Sequence, residues 1–240
     1  MNRILWKPNK KQIENSQMEA FRLQVNSRFD INLANYNELY EWSINHISDF
    51  WKAIWGYMAI EHSNDYSKIV DDANKMPGAK WFPGVQMNYA ENLLRIRTEK
   101  PAIYFKNENN TTKVLSFKEL FNSVEKLVSA LKNIGIESGD RVAGFVPNIP
   151  ETVIAMLSAA TTGCIWSSSS PDFGIKGVLD RFIQIEPTIL FATNGYYYNG
   201  KEYDLTKKIN QIVDQSVSYT HLRAHETLRY LVCSLLLEKK

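Results

Sequence analysis

SGDRVAGFVPNIPETVIAMLSAATTGCIWSSSSPDFG, residues 138–174, decides the fold. Arg141–Val146 is apolar after its first residue and does not alternate, as a strand covered on both faces reads. Pro147 and Pro150 bracket a turn, and Pro150 suits the first turn of a helix. Residues 151–162, rich in Ala and Met, predict that helix, Gly163 ends it, and Cys164–Trp166 opens a second strand. Four serines and Pro171-Asp172-Phe173-Gly174 follow. Strand, helix, strand and a loop of small residues is the order in which α/β folds place a ligand at the carboxyl edge of a sheet.

Working outward, residues 174–185 read as a helix that Pro187 ends, and Thr188–Thr193 as a further strand. The alternation predicts a mostly parallel sheet. Upstream, Pro101–Phe105 and Lys113–Phe117 flank the polar turn Asn107–Thr111, a hairpin. Ser116 with Glu119 is a capping box, and Leu120, Val124, Leu127, Val128, Leu131 and Ile134 mark the buried face of the helix it starts. Gly135 closes that helix. Further back, Leu39, Trp42, Ile47, Phe50, Trp51, Ile54, Trp55 and Met58 recur at helical steps. Asn37 and Ser48 are candidate N-caps of two short helices. Lys52 alone among Arg and Lys falls within this stretch, so the stripe reads as core and not as a base-stacking surface. Residues 1–36 are mixed and polar; Met76-Pro77-Gly78 and Trp81-Phe82-Pro83-Gly84 are turns before a short helix ending near Arg97.

The 240 residues, 44% apolar and 22% charged, suit a soluble globular protein with a real core. Gln215–Lys240 holds four basic and two acidic residues, which leaves 24 of each sign in residues 1–214. A neutral body gives no reason to expect nucleic acid or an anionic membrane as partner. The N-terminus has no apolar signal region and no run approaches the roughly 20 residues of a membrane span, so a cytoplasmic location is expected. Two cysteines, Cys164 and Cys233, make no disulfide framework and lack metal-ligand company.

Several stretches together resemble one family. LWKP (5–8), YNELYEWSINHISDFWKAIW (36–55), MPGAKWFPGVQMNYAENLL (76–94), residues 138–174 and GYYYNGK (195–201) are similar, in this order, to the N-terminal part of acetoacetate–CoA ligases. These belong to the acyl-adenylate-forming, AMP-binding superfamily. WFPG followed by N-x-AENLL is shared with acetyl- and propionyl-CoA synthetases, whereas GCIWSSSSPDFG is narrower, since acetyl-activating relatives carry Gly-Gly-Phe in place of Pro-Asp-Phe.

The resemblance implies an α/β fold: a helical lead-in over 1–97, then over 98–214 the start of a Rossmann-like, mostly parallel AMP-binding sheet. It implies ATP, Mg and CoA as cofactors and co-substrates and acetoacetate, or another short acyl acid, as substrate. ATP and the acid give an acyl-adenylate and pyrophosphate, and CoA sulfur then attacks the acyl carbon. The chemistry needs a triphosphate and a carboxylate held in line with their charge neutralised. Relatives do this with a T-S-G-T-T-G-x-P-K-like loop and a C-terminal lysine; neither occurs here, so the chain alone is expected to be inactive and no catalytic or metal-binding residue is assigned. What carries over is a CoA-side set: Ser170, Pro171 and Asp172 in a loop against CoA, and Lys201 toward its nucleotide phosphates as a point charge. Relatives have an arginine near Tyr197, and its absence weakens that phosphate site. Arg181 matches a commonly basic helix position, which an exposed helix charge explains equally well.

Plainer readings compete. Four serines also build tight structural loops, and Asp172 is placed to cap the helix at Gly174. Cys164 reads as a small buried hydrophobe, and His46 and His62 as solvated or capping. A different class, a self-standing nucleotide- or CoA-binding module, is opposed by the lack of any G-x-G-x-x-G after a strand. An acetyl- or propionyl-CoA synthetase fragment is the nearer alternative. From residue 215 the chain resembles translated adaptor or vector sequence joined to a broken reading frame. Its His221, His225 and Glu226 evoke a zinc helix, but the metalloprotease pattern needs a histidine three residues after Glu226, where Arg229 stands.

Overall fold

Residues 5–215 and the backbone of residues 233–235 are described by a computed structural model of the chain. The chain divides into two compact units, Met1–Met87 and Asn88–Lys240. The tail beyond 215, with its histidine pair, otherwise lies outside the described residues.

In the first unit, α1 (Lys10–Glu14) and α2 (Gln17–Phe29) occupy the polar stretch where no helix is legible in the sequence. Ser16 starts α2 by accepting from the Glu19 amide at 3.1 Å. The α2 pattern is obscured because Arg22 is buried while Met18 and Leu23 are exposed. The Arg22 guanidinium satisfies itself on the Glu19 carboxylate and the Leu33 carbonyl, as a buried charge must. α3 (Tyr36–Asn45) and α4 (Ile47–Tyr57) are the two helices read from the aromatic stripe. Phe21, Val25, Leu39, Trp42 and Ala53 form their shared core, with Phe50 and Ile54 packed against it.

Both expected caps are displaced. Asn35, not Asn37, caps α3, because its backbone is extended and its side chain accepts from the Glu38 amide at 3.2 Å. α4 starts from His46, not Ser48: a one-residue corner lets the main chain set the start, with no side-chain cap. His46 stacks on Trp42, and His62 bonds Ile60 and Asp65 beside Trp55, so neither is merely solvated. Phe82 of WFPG stacks on Trp55 with centroids 4.4 Å apart, and its amide donates to the Ile69 carbonyl at 2.7 Å.

The second unit opens with α5 (Tyr89–Leu94). Asn88 accepts from the amides of Ala90 and Glu91 to cap it and donates 2.8 Å to the Ala160 carbonyl. β1 (Pro101–Lys106) and β2 (Thr112–Ser116) are the antiparallel hairpin. α6 (Phe117–Asn133) begins at the Ser116–Glu119 capping box; Gly135 follows its end at φ +85°, and Ile134 is exposed, past the last buried turn. Then come β3 (Arg141–Phe145), α7 (Pro150–Thr161), β4 (Ile165–Ser169), α8 (Ile175–Ile185) and β5 (Ile189–Ala192). β6 (Gly195–Tyr198) and β7 (Lys201–Asp204) make a second hairpin, and α9 (Thr206–Gln215) and β8 (Cys233–Leu235) follow.

The sheet order is β4-β3-β5-β8, with β3 parallel to β4 and β5 and β8 antiparallel to β5. The fold class is α/β with a parallel core, as the alternation requires. β3 is apolar and buried from Val142 to Phe145 because both its faces are covered there. Ala143 and Phe145 face Val178, Phe182, Ile209 and Ile212 of α8 and α9. Val142 faces Leu131, Ala155 and Ala159. The register sets Phe145, Ser169 and Ala192 abreast, so the three parallel strands end together.

Candidate functional site

The segments leaving those strand ends meet at one place. Beyond Ser169 the chain turns through Ser170–Phe173, with the Phe173 amide donating to the Ser170 carbonyl at 3.2 Å. Pro171 is fully buried, and Ser170 donates its hydroxyl to Asp172 at 2.8 Å. The Asp172 side chain does not cap α8: Gly174 is that N-cap, and it has no side-chain bond. Asp172 instead accepts from the Tyr196 phenol at 2.7 Å. The acid is therefore taken up by the neighbouring hairpin, 24 residues away in sequence.

That hairpin is set by Asn199-Gly200, both left-handed (φ +51° and +70°), the two-residue turn that matches strand twist. Its register pairs Tyr196 with Tyr203 and Tyr198 with Lys201. Directly opposed residues, and residues two apart, share a face, so Tyr196, Tyr198, Lys201 and Tyr203 lie on the side that meets Asp172. Tyr196 and Tyr203 stack with centroids 5.3 Å apart. Lys201 is exposed, two strand positions toward the tip from the Tyr196–Tyr203 pair. The Gly200 amide donates to Glu108 at 2.9 Å, tying the tip to the β1–β2 turn.

A third element closes the cluster. Lys208 of α9 donates 2.7 Å to the Pro171 carbonyl and stands 5.2 Å from the centre of the Phe145 ring. Arg181 of α8 lies 4.1 Å over the Phe173 ring, a cation–π contact that explains this exposed charge locally.

The electrostatics follow from these partners. The Tyr196 phenol, then the Ser170 hydroxyl, hold Asp172 below the ordinary carboxylate range, and the Lys208 charge adds to this. Burial, then the Asp172 carboxylate, push Tyr196 up to about 12. Partial burial lowers Lys208, against the pull of Asp172. Burial raises the Cys164 thiol, which sits between Thr162 and the Glu137 carbonyl and behaves as the inert hydrophobe its sequence suggests.

Ser170, Pro171 and Asp172 are thus brought together, with Lys201 on the adjoining hairpin face. Sequence reading missed Tyr196 and Lys208. The Asn-Gly pair between tyrosine-rich runs was a usable signal for the first; nothing local marked the second. A hollow of about 300 Å³ lined by Arg141, Ile165 and Glu186 lies at the amino ends of β3 and β4, away from this loop. Among the described residues no cluster of His, Cys, Asp and Glu could hold a metal ion, and no helix is long and apolar enough to cross a membrane.

Comparison with known proteins accords with this arrangement. The family described as AMP-binding enzyme matches residues 91–232, and acetyl-coenzyme A synthetase N-terminus matches residues 36–93. The chain is 42% identical over 215 residues to an acetoacetyl-CoA synthetase of Xenopus tropicalis, covering 88% of this chain and 32% of that protein. It is 36% identical over 217 residues to a malonamoyl-CoA synthetase of Penicillium aethiopicum, covering 88% of this chain and 30% of that one. The solved structure of acetoacetyl-CoA synthetase from Streptomyces lividans superposes with a TM-score of 0.86 at 35% identity, over 93% of this chain and 34% of that one. The chain spans about a third of the length of the relatives it matches. A family match over more than half of its residues, on a parallel sheet whose strand ends converge on the serine loop, means that this chain belongs to the AMP-binding enzyme family.

Proposed function

We propose that this chain is the N-terminal part of an acetoacetate–CoA ligase, which converts ATP, acetoacetate and CoA to acetoacetyl-CoA, AMP and pyrophosphate. The observation that carries the reading is GCIWSSSSPDFG folded as β4 and its loop at the carboxyl edge, in a chain 42% identical to a protein named for that reaction. In this reading Ser170, Pro171 and Asp172 form a wall against CoA, and Lys201 meets its nucleotide phosphates. The donor set fits part of the task. An exposed lysine beside tyrosines suits a phosphorylated nucleotide, while the tied-up Asp172 is no free acid or base. ATP and Mg belong to the reaction of the longer protein, where the ion would neutralise phosphate charge; no residue described here is assigned to either. The 240-residue chain turns over no substrate by itself.

The same proposal divides the chain into a helical lead-in (1–97), the start of the AMP-binding domain (98–214) and a tail foreign to the enzyme (215–240), although the family match runs on to residue 232, in a cytoplasmic protein without nucleic-acid or membrane partners. A second reading, a ligase for another short acyl acid, is favoured by the likeness to a malonamoyl-CoA synthetase. The test is AMP release by the complete product of the locus that encodes this chain, with acetoacetate, acetate, propionate or malonamate. The highest kcat/KM with acetoacetate is expected. A preference for another acid moves the assignment to the second reading, and no AMP release with any acid overturns both.

A further inference from the structure

We propose that Lys208 is a positioning residue, which fixes the Pro171-Asp172 loop from behind and offsets its negative charge before a ligand arrives. The inference rests on the reading of that loop as the CoA-side wall. The loop has little to hold it by itself. Its own bonds are one turn at 3.2 Å and weak or short-range contacts of Ser170, and the helix after it starts without a side-chain cap. Two struts supply the rest: the Tyr196 phenol on Asp172 and the Lys208 ammonium on the Pro171 carbonyl, each at 2.7 Å.

Lys208 suits the role because its base is rigid. Ile209 and Ile212 bury the same helix against Phe145, Val178 and Phe182, so the ammonium is delivered from the core. The Phe145 ring, fully buried at the end of β3, receives the cation at 5.2 Å. Neighbouring Lys207 is exposed. The charge matters as much as the bond. A polyanion such as CoA approaching Ser170–Asp172 meets a carboxylate, whose repulsion at short range opposes binding. Lys208 offsets part of that charge from beside the loop, leaving Lys201 as the surplus cation for phosphate.

The test uses the full 240-residue chain and compares Lys208→Met, Lys208→Arg and Lys208→Met/Asp172→Asn. Amide hydrogen exchange over residues 170–173 and calorimetric CoA affinity are both read, with β3 exchange reporting that the fold persists. Lys208→Met should speed loop exchange and weaken CoA about tenfold, the worth of one charge-assisted bond. Lys208→Arg should restore both, and adding Asp172→Asn should recover part of the affinity without slowing the loop. A role in folding alone would not respond to that removal of charge. Unchanged loop exchange in Lys208→Met overturns the inference whatever CoA does. If loop exchange rises but the unmodified chain binds no CoA, the positioning role stands and the CoA-wall reading falls. If Lys208→Met does not fold, failure of Lys208→Arg to keep wild-type loop exchange overturns the inference.

Discussion

Asp172 and Tyr196 share a hydrogen bond but respond to opposite ends of the pH scale. Asp172 ionises below its free value, so the stability it contributes is present above about pH 4 and lost as pH falls through the lowered value. Tyr196 keeps its proton up to about 12 in the fold, while an unfolded tyrosine releases it near 10.0. Its contribution is intact below pH 10.0 and lost between there and about 12. Tyr196→Phe should cost about 0.5–1 kcal/mol at pH 7, the low end for a bond to a charged acceptor because the carboxylate faces solvent. Urea midpoints of the two proteins should differ by a constant amount through neutrality, and converge as pH falls through the lowered Asp172 value and as it rises past about 12. A difference that persists at both extremes contradicts the assignment of that bond. At this scale the sequence was a partial guide. Ser170, Pro171, Asp172 and Lys201 were singled out by the family resemblance and stand as a proposal, whereas the partner of Asp172 is 24 residues away, and short polar side chains before a helix look alike whether they cap it or not.

Among the elements, two local rules can be tested directly. Gly163 ends α7 at φ +76°, and a methyl there would meet the Ser138 hydroxyl at 2.5 Å. Gly163→Ala should destabilise by about 2 kcal/mol, combining the left-handed backbone with displacement of Ser138. Ser116→Ala removes the side chain that accepts from the Glu119 amide at 3.1 Å and should cost about 1 kcal/mol. Both are read from thermal or urea unfolding; a neutral result at either removes that element's stated cause. The helices α6, α7 and α8 and the strands β1 to β5 could be read because capping, glycine stops and periodicity agreed. α2 could not, since a buried arginine and exposed Met18 and Leu23 invert its pattern. The β6–β7 hairpin escaped because three consecutive tyrosines blur the alternation of faces that marks a strand.

For the whole molecule, the parallel sheet and its converging strand ends were legible because β-α-β alternation admits few topologies. Read from the sequence, the helical lead-in ends at residue 97, whereas the compact units divide after Met87, just past the proline–glycine turns of 76–84. The chain spans about a third of the length of the relatives it matches, and in the proposed reading the serine loop is one wall of their site. The chain should release no AMP from ATP and acetoacetate with Mg and CoA, and release by the purified chain would contradict its reading as a part. The most direct test of the CoA-side reading is calorimetric titration of the 240-residue chain with CoA, repeated with Lys201→Ala and with ATP in place of CoA. CoA should bind, Lys201→Ala should weaken it several-fold in a salt-dependent way, and ATP should bind no better to the unmodified chain than to Lys201→Ala. No CoA binding, or CoA binding indifferent to Lys201, would contradict it.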